Sequence, residues 1–450
     1  MTLDAPIFLY YFLPAVLALF FLCPKPGRAW VLLAASLAYY FVADAAGMPV
    51  LLGVAVGNFL VALAVGRVGQ AAKGWVAGFG VAANLGVLAF YKYGPIAAPL
   101  GISFFIFQAV AYLVDVRRGT MAAEKNPLRL TLALSFFPKI TAGPIARFGP
   151  LLPELTRCAP SLAGFRDGAW RVTVGLAKKV LIAGTLAPLA DAAFAKGGDL
   201  DMASAWLGLA CYTAQIYFDF SGYTDMAVGV ALLCGVRLPE NFDHPYISKS
   251  VREFWRRWHI SLSTWFRDYL YIPLGGSRVA PWRVYCNLVI VFTLCGVWHG
   301  ASFNFLVWGL WHGIFLSLER SPVGARLNAA PAAVQTLYAL GAVMLGWVLF
   351  RAPDLSAALA YFRALFSFTT GGFAYTWAVH VDRAKLVALG AAVVFSMPTL
   401  GLWQRLIASC GRHGELVAAV ARTVALPALL VAAAMQLAAG SFSPFIYARF

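Results

Sequence analysis

Most of the chain is written in apolar runs about as long as a bilayer is thick, divided by short basic stretches. A helix needs roughly 20 apolar residues to cross the hydrocarbon core. Runs of that kind occupy residues 7–23, 30–46, 49–65, 75–91, 170–190, 206–236, 284–298, 303–318, 334–350, 386–402 and 416–439. Shorter or interrupted runs at 101–116 and 128–140 predict re-entrant helices, which survive at membrane depth only where protein or water lines them. The pattern predicts an all-α, polytopic membrane protein with about 11 transmembrane helices plus re-entrant and interfacial helices. No internal repeat and no low-complexity linker divides it, so residues 1–450 read as a single integral-membrane domain.

One stretch breaks the pattern. Residues 237–283 are rich in Pro, aromatic side chains and Arg, with Arg252, Arg256, Arg257 and Arg267 set against Glu253 and Asp268. This is too polar to span lipid and too aromatic for a solvated loop. Arg with Trp and Tyr is the composition of a membrane interface, so it predicts an amphipathic, partly buried insertion on the cytoplasmic side. In one continuous helix Arg252, Arg256, His259 and Ser263 would share a face.

Composition agrees with lipid as the solvent. Apolar residues make up 61% and charged residues 12% of the 450, whereas a soluble domain carries about 25% charged residues. The net charge of +16 sits in short loops, the pattern of cytoplasm-facing anchors and not of a nucleic-acid surface. Lys25/Arg28, Arg67/Lys73, Arg117/Arg118 and Lys178/Lys179 mark the expected cytoplasmic ends. No Lys or Arg precedes the first apolar run, so that run is expected to stay as a membrane helix whose start faces outward. The seven Cys form no CxxC pair and several lie inside apolar runs, where they read as packing residues and not as a disulfide frame or a metal site.

Candidate chemistry is confined to a few positions. His299, in Cys295-Gly296-Val297-Trp298-His299-Gly300-Ala301, falls at a helix junction at membrane depth, where ionisable groups are costly and mark function by default. Imidazole can take a proton from a hydroxyl near neutral pH; the alternative is a core histidine held by a backbone carbonyl. Gly300 would let another group approach closely. His259 lies among Arg and Trp nearer the interface and reads either as a second functional histidine or as a structural one. His312 lies in an apolar run and reads as packing. Asp219 and Asp225 enter apolar surroundings and are expected to pair with Arg, Tyr or Ser, since an unpaired buried carboxylate costs roughly several kcal/mol; a substrate-channel role is the alternative. The sequence contains no Walker loop, dinucleotide-binding glycine pattern, HExxH or GxSxG. Arg256, Arg257 and Lys249 are the charges that could hold a phosphate-bearing donor.

Four segments together carry a resemblance: residues 100–108; Phe137-Pro138-Lys139-Ile140-Thr141-Ala142-Gly143-Pro144-Ile145; the run 217–276; and Gly296-Val297-Trp298-His299-Gly300 through Trp311-His312-Gly313. The third is the most specific, with Asp219-Phe220-Ser221-Gly222-Tyr223, Pro239-Glu240-Asn241-Phe242, Phe254-Trp255-Arg256-Arg257-Trp258-His259 and Tyr269-Leu270-Tyr271-Ile272-Pro273-Leu274-Gly275-Gly276. The chain resembles the membrane-bound O-acyltransferases, and within them the bacterial branch that acetylates alginate. The matches span about residues 100–320, with a weaker echo at Ser443-Pro444-Phe445-Ile446-Tyr447. Lys139 and Thr141 depart from that branch, which often carries Gln and an apolar residue there.

The resemblance implies a helical fold around a central tunnel in a bacterial inner membrane, with His299 as the catalytic histidine and His259 as a second histidine near the cytoplasmic mouth. It implies acyl transfer from a cytoplasmic thioester, acetyl-CoA, to an extracytoplasmic polysaccharide such as alginate, directly or through a periplasmic acetyltransferase- or esterase-like partner. No bound cofactor and no metal are expected, because a thioester is already activated. D-alanyl transfer to an envelope polymer and peptidoglycan O-acetylation are rivals of the same class. A transporter or export channel is the rival of another class, although the two related halves common in transporters are not visible here.

Overall fold

The computed structural model describes residues 1–368, 380–399, 401, 405, 407 and 409–439. These form helices and no strand. The C-terminal echo at 443–447 lies outside the described residues, as does part of the expected run at 386–402.

Among the described residues six helices are long and apolar enough to cross a membrane: Met48–Arg67, Gln70–Tyr93, Leu162–Asp199, Pro281–His299, Ala332–Arg351 and Leu416–Ala438. Shorter apolar helices cover Phe8–Leu22, Phe303–Leu318 and Leu355–Phe366. The expected run at 170–190 is part of a longer helical stretch, and the run at 128–140 stops being helical after Ser135.

The chain divides into two compact units, Met1–Val172 with Tyr223–Glu240, and Thr173–Gly222 with Asn241–Phe450. The first contains helices α1 (Leu13–Leu22), α2 (Arg28–Ala43), α3 (Met48–Arg67), α4 (Gln70–Tyr93), α5 (Ile102–Arg118), α6 (Pro127–Ser135) and α7 (Phe148–Arg157). Helix α5 is apolar on every side through most of its length and is correspondingly buried. Helices α3 and α4 are joined by a reciprocal amide pair at membrane depth. Asn58 Nδ2 donates to Asn84 Oδ1 at 3.0 Å, and Asn84 Nδ2 returns a bond to Asn58 Oδ1 at 2.9 Å. Each amide also donates to a carbonyl one turn back in its own helix, so the donors and acceptors of both side chains are used. After α6 the chain runs through a non-helical segment held from inside: Ser36 Oγ accepts from the Phe137 amide at 3.1 Å, and Lys139 donates to Gln108 and to the Leu134 carbonyl. That is the condition under which irregular backbone is stable at such depth.

The chain passes between the units within α8 (Leu162–Ala177), within α10 (Met202–Leu233) and again between Glu240 and Asn241. The second unit continues through α9 (Gly184–Lys196), α11 (Val251–Arg257), α12 (Ile260–Phe266), α13 (Pro281–His299), α14 (Phe303–Leu318), α15 (Pro322–Ala329), α16 (Ala332–Arg351), α17 (Leu355–Phe366), α18 (Arg383–Phe395) and α19 (Gly411–Ala438).

Two expectations need correction here. Lys179 does not mark a cytoplasmic end. It is buried in a widened, π-helical turn (Lys178–Ala183) and ion-paired with Asp219 of α10. A carboxylate on the neighbouring helix, not the membrane surface, accounts for the lysine. Residues 251–266 are also not one helix. Helix α11 ends at Arg257, Trp258 is extended, and His259 adopts a left-handed conformation (φ 44°) before α12 begins. Arg252 and Arg256 therefore share no helical face with His259 and Ser263.

Candidate active site

His299 is the last residue of α13, and glycines put it where it is. A Cβ on Gly296 would stand 2.1 Å from the Phe305 carbonyl oxygen, and one on Gly309 would stand 2.3 Å from that of Phe292. With no side chain in the way, α13 and α14 pack backbone against backbone. At Gly300 a Cβ would meet the Phe305 ring at 2.6 Å, so the group admitted there is an aromatic side chain of the same hairpin.

The imidazole of His299 is 4% exposed. Rings surround it: Trp298 at 4.7 Å between centroids, Trp308 at 5.0 Å, Phe350 at 5.1 Å and Phe305 at 6.1 Å. Beyond Trp308 lies His312, as buried as the sequence suggested, with its ring 5.1 Å away. Trp255 Nε1 donates to His312 Nδ1 at 3.3 Å, which leaves the proton of the neutral imidazole on Nε2. Among the described residues that Nε2 and the indole N–H groups of Trp308 and Trp347 meet no protein acceptor. The lining near His299 is thus apolar, with donors to spare. An acyl carbonyl accepts hydrogen bonds and gains charge on oxygen during attack, so this is a lining suited to it.

His259 has a different setting. It is 1% exposed, and its Nδ1 lies 3.2 Å from Asn241 Oδ1. The same oxygen accepts from the Ser261 amide at 3.1 Å and from Ser261 Oγ at 2.8 Å, and the Asn241 carbonyl accepts from the Ile260 amide at 2.9 Å. Phe220 of α10 meets the imidazole edge-on at 4.8 Å. Burial pushes the pKa of His259 down to about 3, so the ring is neutral at physiological pH. The two histidines belong to one ring network in which Trp308 contacts Trp347 at 6.4 Å and Trp347 contacts Trp258, next to His259, at 5.0 Å.

The three candidate donor-binding cations separate. Lys249 and Arg256 are exposed. Arg257 is engaged within the protein, its Nε donating to Glu253 at 2.9 Å and its Nη1 to Asp243 at 3.0 Å. Only the first two project charge into solvent without those bonds.

The profile described as MBOAT, membrane-bound O-acyltransferase family, matches residues 131–357, which include both histidines and the walls contributed by α14 and α16. The chain is 37% identical, over the whole of both chains, to the Azotobacter vinelandii protein named "Probable alginate O-acetylase". It is 40% identical to the Pseudomonas aeruginosa protein of the same name, over 86% of this chain and 78% of that one. It is 34% identical to the peptidoglycan O-acetyltransferase of Helicobacter pylori, over 80% and 79% of the two chains. The chain belongs to the membrane-bound O-acyltransferase family. It is a multi-pass membrane protein and an O-acyltransferase, and family membership sets aside the export-channel alternative.

Within this acyltransferase the two carboxylates of α10 are charge-paired. Asp219 meets Lys179, and Asp225 meets Arg171, whose guanidinium also binds Glu240. The expectation of an Arg, Tyr or Ser partner holds for Asp225, and Asp219 has a lysine that the sequence reading did not foresee. Two site residues escaped the sequence reading. Glu319 accepts from the Val251 and Arg252 amides at 2.5 and 3.0 Å, capping the start of α11. Asn241 organises His259. The signal for Asn241 was present, an amide between Glu240 and Phe242 in an aromatic stretch, but only the fold shows what it holds.

Proposed function

We propose that this acyltransferase moves an acetyl group from a cytoplasmic thioester, acetyl-CoA, to a hydroxyl of an extracytoplasmic polysaccharide such as alginate, directly or through a periplasmic partner. The observation that carries the reading is His299, buried at a helix end among rings and orphan donors, in a chain similar along its whole length to a protein named for alginate acetylation.

In this reading His299 takes the proton of the acceptor hydroxyl as its oxygen attacks the thioester carbonyl. The C–S bond breaks, and the proton passes from the imidazolium to the departing thiolate. The Trp308 and Trp347 indoles and His312 Nε2–H favour the charge that develops on the carbonyl oxygen. His259 presents its Nε2 lone pair to a substrate hydrogen. Lys249 and Arg256, with Arg257 behind them, attract the phosphates of the donor. The enzyme is placed in the bacterial inner membrane, because donor and acceptor lie on opposite sides of it.

The test is the O-acetyl content of envelope and secreted glycans in wild type, in a deletion strain, and in that strain complemented with His299→Ala at matched membrane level. Acetate is expected to vanish in the last two. Acetate retained with His299→Ala would remove the assigned role. Acetate unchanged in all three strains would point to another acyl group, with D-alanyl transfer the first to assay from a charged carrier.

A further inference from the structure

The Asn241 side chain gathers three contacts at one oxygen, from His259 Nδ1, the Ser261 amide and Ser261 Oγ, while its Nδ2 meets no protein partner among the described residues. Its Oδ1 accepts from the Ser261 amide, which can only donate, so this atom acts as an acceptor. An acceptor 3.2 Å from His259 Nδ1 requires a proton on that nitrogen. The neutral ring then has a bare Nε2, and that atom is buried and meets no protein partner among the described residues. The backbone repeats the arrangement. His259 sits at φ 44°, a conformation costly for a residue with a Cβ, and the Asn241 carbonyl holds the next amide, that of Ile260, at 2.9 Å.

The geometry points to Asn241 as a positioning residue for the acyl-transfer reaction: it locks His259 in the Nδ1–H tautomer and thereby aims an unshared Nε2 lone pair at a substrate hydroxyl. The activity part of this rests on the catalytic reading of His259 given above; the tautomer part does not. Of the charged groups on the elements around the ring, Asp219 of α10 is paired with Lys179 and Asp243 with Arg257, while Arg252 and Arg256 of α11 are exposed and make no bond to Asn241 or the ring. Helix α12 contributes no titratable residue. A neutral amide is therefore what sets the ring's state. A carboxylate in its place would favour imidazolium and fill Nε2 with a proton.

The experiment is ¹⁵N NMR of the purified, histidine-labelled full-length protein, with the His259 signal identified by its loss in His259→Gln. Wild type is expected to show a protonated Nδ1 and a bare Nε2 from about pH 5 to 8. Asn241→Ala is expected to give mixed tautomers, and Asn241→Asp an imidazolium that titrates within this range. If either is poorly folded by size exclusion, the other and the wild-type spectrum still decide. Rates of acetyl transfer are expected to fall about 100-fold in Asn241→Ala, the low end for a positioned proton-transfer group, with KM for acetyl-CoA little changed. A wild-type Nε2–H tautomer, or a tautomer unmoved by Asn241→Ala, overturns the inference. Full activity in His259→Gln with the tautomer results as expected would overturn only the catalytic reading of His259.

Discussion

The two histidines of the second unit are buried to nearly the same extent but held by opposite means. His299 is placed by packing: glycine contacts bring α13 and α14 together, and four aromatic rings enclose the imidazole. His259 is placed by hydrogen bonds: a helix is interrupted, the backbone is turned left-handed, and an amide fixes the ring. Packing restrains a ring's position and excludes water. A hydrogen bond to one ring nitrogen also selects which atom is free to react. The division suits the two tasks proposed above, a base whose proton must come and go, and a lone pair held constant.

The contrast can be broken at either end. The largest effect on rate should come from Gly296→Ala. Its Cβ would lie 2.1 Å from the Phe305 carbonyl, so α13 and α14 must shift apart and carry His299 with them. A displacement of this order costs about 100-fold in rate, while the ¹⁵N signal of His259 should keep its tautomer. Altered His259 signals would show that the two settings are not independent. Next is Lys179→Met, which takes the lysine from the buried Asp219 carboxylate, next to Phe220, the residue that packs on His259. Removing one partner of a buried pair costs about 3–5 kcal/mol. A thermal-unfolding series should show Lys179→Met well below wild type, and the double variant Lys179→Met with Asp219→Leu should recover part of the loss. The smallest effect should be that of Arg256→Gln. An exposed charge is worth about 1 kcal/mol or less, so KM for the proposed donor, acetyl-CoA, should rise no more than about 5-fold with kcat unchanged. A fall in kcat instead would mean that Arg256 acts on the transition state and belongs with the histidines.

Much of the fold was legible because lipid imposes a one-dimensional rule. Apolar length reports helices directly, and the runs at 49–65, 75–91, 284–298 and 334–350 all became helices long enough to cross. The burial of His299 was legible for a related reason, since the ring closes such a run and was expected at a helix junction at membrane depth. The rule failed where polar groups satisfy each other across the chain. Lys179 looked like a surface anchor because its partner lies forty positions away on another helix. The break at His259 was invisible because Val251–Phe266 has good helical spacing, and the groups that end the helix, the Asn241 carbonyl and amide, come from a different segment.

By itself, the sequence determined that this protein lives in a membrane, that it is helical and to which family it belongs, and it named His299 and His259 as the candidates. These depend on apolar length, composition and local motif, all of which are properties of neighbouring residues. The tertiary structure alone decided which walls enclose His299, which cations are already engaged, and which nitrogen of His259 is free. Those depend on hydrogen bonds and ring contacts between residues far apart in the chain, and in a medium without water such contacts are the only partners a buried polar group can find.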